Sequence, residues 1–71
     1  MESALRQLGE NVKRLRDEAG LAQEELAEMA DLDRTMISLV ENGKKLVRID
    51  TLVKLSRALG IPLSVLVKDV T

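Results

Sequence analysis

Residues 23–45 read QEELAEMADLDRTMISLVENGKK. Leu26, Ala27 and Ala30 fall on one face of a short helix, Gln23 to Ala30. Asp31-Leu32-Asp33 breaks it. Asp33 is a good N-cap for a second helix from Arg34 to about Glu41, with Ile37 and Val40 inward and Gly43 closing it. Ala27 is small where two crossing helices need close approach, and Leu32 can plug the corner. The stretch therefore predicts two short helices set at an angle across a three-residue break.

Working outward, Leu5, Leu8, Val12, Leu15 and Ala19 recur at spacings of 3, 4, 3 and 4. That predicts an amphipathic helix over roughly residues 3 to 19, stopped at Gly20. Leu52, Leu55 and Leu59 mark a fourth helix, Asp50 to Leu59, ended by Gly60. Pro62 suits the start of a last helix of about 63 to 69, carrying Leu63, Leu66 and Val67. No segment alternates with period two. The expected fold is all-α, a compact five-helix domain over residues 1–71.

The composition narrows the chemistry. The 71 residues contain no Cys, His, Phe, Tyr or Trp. That excludes disulfides, Cys-based zinc sites, thiol nucleophiles and histidine general bases. It also removes the aromatic platforms on which single strands stack. Glu24 and Glu28 lie one turn apart on what should be a solvated face, so a plain charged surface is the better reading than metal or acid–base work. Neither a catalytic site nor a metal or cofactor site is expected, and the chain does not read as an enzyme. No stretch is long and apolar enough to span a membrane, and the N-terminus lacks a signal pattern, which makes a cytoplasmic location the default.

The net charge of -1 shows no general attraction to nucleic acid. Its distribution does. Residues 23–33 hold five acidic and no basic residues, whereas residues 34–48 hold four basic and one acidic. The positive excess coincides with Arg34, Thr35, Ser38 and Leu39, the outward face of the second short helix. That pattern is a helix-turn-helix whose second helix can enter a major groove.

Three strings, LGENVKRLRDEAGLAQEELAEMA, LDRTMISLVENGKK and DTLVKLSRALGIPLSVL, resemble the lambda-repressor/Cro-like, or Xre-type, helix-turn-helix family in order and spacing. The LDRT-x-IS stretch is also similar to restriction-modification controller proteins. The resemblance covers about Leu8 to Val67 and implies a lambda-repressor-like DNA-binding domain. It implies that Gln23 binds a DNA phosphate. It implies that Arg34, Thr35, Ser38 and Leu39 face bases or adjacent phosphates, and that the loop of Asn42, Lys44 and Lys45 grips the backbone. Arg16 and Glu41 match an ion pair joining the first helix to the third.

The chemistry of these side chains suits those roles. Arginine can take guanine O6 and N7 with two parallel hydrogen bonds. Thr35 and Leu39 offer methyl groups to thymine. Lys44, Lys45 and Arg48 add salt-sensitive attraction to phosphates. The amides at the starts of the two motif helices, near Gln23 and Arg34, are natural phosphate donors. The chain departs from the family at Ala22, where Ser or Thr usually caps the helix, at Asp31, where Gly is common, and at Leu39, usually polar.

Leu46, Val47, Val65 and Val70 remain after the core is filled and are assigned to a homodimer interface. Together these readings give a sequence-specific transcriptional regulator that binds a palindromic double-stranded operator as a homodimer, with a contact to the transcription machinery open to its acidic helix. The alternative is an antitoxin-like or bridging interaction module with the same fold.

Overall fold

A computed structural model describes residues 2–71. Among them the chain forms five helices and no strand: α1 (Glu2–Glu18), α2 (Gln23–Ala30), α3 (Arg34–Glu41), α4 (Ile49–Leu59) and α5 (Leu63–Leu66). Leu8 and Val12 of α1 bury against Leu26, Ala27 and Ala30 of α2, Ile37 and Val40 of α3, Leu55 of α4 and Leu66 of α5. α3 packs between α1 and α2, while α4 backs α2, and α5 closes against both α1 and α4. One face of α3 is thereby committed to the core and the other is left outward.

The corner between α2 and α3 follows from its residues. Asp31 adopts the left-handed conformation (φ 56°, ψ 48°) and ends α2. The Leu32 amide donates back to the Ala27 carbonyl at 2.8 Å, and the Leu32 side chain packs against the core. Asp33 then caps α3, its carboxylate accepting from the Thr35 amide at 3.1 Å. At the start of α2, Ala22 has no side-chain cap to offer, but the Glu25 carboxylate accepts from the Ala22 amide at 2.8 Å. That recovers half of a capping box.

α1 meets α3 backbone to backbone. A Cβ added at Gly9 would lie 2.5 Å from the Glu41 carbonyl oxygen and 2.6 Å from that of Val40. At Gly43, φ is +65° and an added Cβ would approach the Arg6 Cα to 3.2 Å. Glycine at these two positions lets the end of α3 and its following loop settle directly onto α1.

Three boundaries differ from expectation. α1 stops at Glu18, so Ala19 is exposed in the turn instead of extending the apolar face. α4 begins one residue early, at Ile49, with Arg48 as an N-cap that makes no side-chain bond; Asp50 instead accepts from the Thr51 amide. α5 ends at Leu66, not residue 69. The cause is Asn11, whose Nδ2 donates to the carbonyls of Leu66 at 3.0 Å and Lys68 at 2.8 Å. Those carbonyls turn toward α1, Asp69 takes a left-handed φ of 64°, and Val70 folds back to donate to Val67.

Candidate nucleic-acid interface

α3 presents Arg34, Thr35 and Leu39 exposed and Ser38 half-buried, opposite Ile37 and Val40. Asn42 closes the helix: its Nδ2 donates to the Ser38 carbonyl at 2.9 Å. It also approaches the Ser38 hydroxyl oxygen, at 3.5 Å; Asn42 is the donor there, so the hydroxyl keeps its proton for another acceptor. The Lys44 amide donates to the Leu39 carbonyl at 2.9 Å, which fastens the basic loop to the end of α3. Lys44 and Lys45 are exposed. Among the described residues Arg34, Lys44 and Lys45 have no ion-pair partner, so no internal contact must break before they meet an anion.

Arg48 differs. Its Nε lies 3.3 Å from an Asp50 carboxylate oxygen in a well-exposed pair. Such pairs are worth little, but the neighbouring acid offsets part of the charge Arg48 could offer a phosphate. The N-terminus of α3 is also less open than its sequence suggests, because the Asp33 carboxylate already occupies the Thr35 amide. The side chains of Arg34 and Thr35, more than the amides beneath them, are what this end of the helix presents.

A buried ionic cluster joins the motif to α1. Arg16 Nε donates to Glu41 Oε2 at 2.6 Å, and Arg16 Nη2 donates to Glu41 Oε1 at 3.0 Å. The two side chains are only 11% and 4% exposed. Arg16 Nη1 also donates to the Leu21 carbonyl at 2.8 Å. The hydrogen bond to Glu41 holds the Arg16 guanidinium above its usual pKa, against the opposing effect of burial, with further help from the charges of Glu41 and Asp17. Gln23 joins the cluster, its Nε2 donating to Glu41 Oε1 at 3.0 Å. Sequence reasoning linked Gln23 only to DNA. Nothing local in the sequence marks a contact between residues 18 positions apart.

The residues assigned to a partner surface separate in the structure. Leu46 and Val65 are exposed, whereas Val47 and Val70 pack against the chain's own core. Ile49, not singled out from the sequence, is as exposed as Leu46, each at 66%. On α2, Glu24, Glu25, Glu28 and Met29 all face solvent. No helix among the described residues is long and apolar enough to cross a membrane, and no acidic cluster among them is arranged to hold a metal.

Comparison with known proteins agrees with this arrangement. Residues 12–66 match the family model for the helix-turn-helix. The chain is 48% identical over 63 residues to control protein C.MunI of a Mycoplasma species, covering 87% of this chain and 85% of the relative. The fold superposes on the restriction-modification controller protein C.AhdI from Aeromonas hydrophila with a TM-score of 0.86 and 37% identity, covering 87% and 94% of the two chains. Wild-type controller protein C.Esp1396I gives the same TM-score at 30% identity, covering 93% and 86%. Motif, core and relatives therefore agree: the chain belongs to the helix-turn-helix family and, within it, to the restriction-modification controller proteins, which are DNA-binding regulators and not enzymes.

Proposed function

We propose that this chain binds a palindromic double-stranded operator as a homodimer, with residues 34–41 in the major groove, and so regulates transcription of restriction-modification genes. The supporting observation is that α3 buries Ile37 and Val40 while Arg34, Lys44 and Lys45 stand exposed and unpaired at its two ends among the described residues. In this reading Arg34, Thr35, Ser38 and Leu39 meet base edges or adjacent phosphates. Gln23, Asn42, Lys44, Lys45 and Arg48 hold the backbone. Two copies related by a two-fold axis through the Leu46 and Val65 side, extended by Ile49, place their α3 helices about 34 Å apart, one turn of DNA.

Gel shifts against genomic fragments test this. The wild type is expected to select specific fragments and Arg34→Ala to lose that selection. Lys44→Ala is expected to lower the slope of log affinity against log salt by about 1.8, two phosphates' worth, one from each protomer. A folded wild type that selects no fragment at roughly 100 mM salt refutes the reading. Light scattering that finds only monomer at high micromolar concentration refutes the dimer, and a Val65→Glu variant that still dimerises refutes its surface.

The acidic outer face of α2, with Met29 58% exposed among its carboxylates, supports a contact with a basic surface of the transcription machinery while α3 is on DNA. Transcription in vitro tests this. Glu24→Lys is expected to retain operator binding and lose regulation; unchanged regulation refutes the contact.

A further inference from the structure

We propose that Glu41 is a positioning residue for DNA binding, holding the Gln23 side-chain amide by one Nε2 proton so that the second Nε2 proton is presented to a phosphate. The proposal rests on the reading of Gln23 as a backbone contact. An ionised carboxylate can only accept hydrogen bonds. Glu41 receives Arg16 on both oxygens and Gln23 on Oε1, so only the Nε2 end of the Gln23 amide can face it. Turning the amide over would set Gln23 Oε1 against Glu41 Oε1, acceptor to acceptor. One Nε2 proton is spent on Glu41, and the second remains as a donor at the start of α2, beside an N-cap, Ala22, that supplies no side-chain oxygen.

The charge of Glu41 does not defeat this arrangement. Its side chain is 4% exposed and paired through two hydrogen bonds with Arg16, so an approaching phosphate meets a neutralised pair. The same carboxylate closes α3 and anchors on α1, so it sets the phosphate donor on α2 in a fixed relation to the helix in the groove.

A double-mutant cycle tests the assignment, using a duplex enriched from a random 20-base-pair library by the wild type. Glu41→Asp keeps the negative charge for Arg16 and withdraws the oxygen from Gln23. Gln23→Ala and Glu41→Asp are each expected to weaken binding about ten-fold. The double variant is expected to be about ten-fold weaker as well, since the same hydrogen bond is lost once. The salt slope stays at the wild-type value in all three, because Gln23 carries no charge to release counterions. A purely structural Glu41 gives independent losses, about 100-fold in the double variant at matched folded fraction, and that result overturns the proposal.

If Glu41→Asp does not fold, NMR of the wild type decides. One of the two Gln23 Nε2 protons is expected to exchange with solvent more slowly than in a free glutamine amide. Both protons exchanging at the free-amide rate overturn the proposal. A wild type that enriches no duplex overturns the DNA reading together with this inference; binding with independent losses overturns this inference alone.

Discussion

Gly9→Ala sets two forces against each other. Within a helix the change from glycine to alanine is normally favourable by about 1 kcal/mol. Here the new Cβ would sit 2.5 Å from the Glu41 carbonyl oxygen, 2.6 Å from the Val40 carbonyl oxygen and 2.9 Å from the Glu41 carbonyl carbon. Ordinary contact begins near 3.4 Å, so α1 and the last turn of α3 must separate by about 0.9 Å. All three opposing atoms are main chain, and no side-chain rotation can relieve them. Overpacking of this kind costs about 1–3 kcal/mol, and the absence of a yielding side chain places it at the upper end. Separation also pulls on Glu41, whose carboxylate is bound to Arg16 on α1. We expect a net loss of about 2 kcal/mol, or roughly 8–16 °C in Tm for a domain of this size. Thermal melts followed by circular dichroism measure it. A Tm equal to or above that of the wild type, as helix propensity alone requires, would refute the close-approach argument.

Two further changes probe features away from this seam. Asn11→Ala removes the donor that satisfies the Leu66 and Lys68 carbonyls, and should cost about 2–3 kcal/mol in urea unfolding; a loss under about 0.5 kcal/mol would show that water replaces the amide freely. Ala22→Ser places an oxygen at an N-cap whose backbone (φ -76°, ψ 162°) already suits it, and should raise stability by about 0.5–1 kcal/mol; no gain in Tm would mean that Glu25 already satisfies that helix end.

The helices of the motif were legible because their signals are local. Asp33 caps within two residues, Asp31 ends α2 where it stands, and the apolar spacing of Ile37 and Val40 needs no knowledge of the rest of the chain. The expectation for α5 ran three residues too long because Leu63, Leu66 and Val67 keep a helical spacing while Asn11, far away in sequence, takes the carbonyls that a longer helix would use. Asn11 itself gave no signal; a polar residue on α1 reads as solvated until its distant partners are known. Gly9 did carry one. A glycine in the middle of a helical pattern is unfavourable unless something needs the space, and here the α3 backbone needs it. For the interface, residue type and spacing marked Arg34, Lys44 and Lys45 as candidates, but not that the Arg48 charge is shared with Asp50 or that Gln23 is tied to Glu41. Those are pairings of side chains, which periodicity does not encode.

The Asn11 amide has a kinetic consequence. Its bonds to Leu66 and Lys68 close loops of 55 and 57 residues, whereas the contacts across the Asp31–Asp33 corner close within a few. Closing the larger loop carries an entropy cost that is small only once the intervening chain is already compact. We expect these bonds to form after the folding barrier, so that Asn11→Ala accelerates unfolding and leaves the folding rate nearly unchanged in stopped-flow measurements. On that expectation the amide that holds the last helix lengthens the life of the native state, at a distance from the outward face of α3.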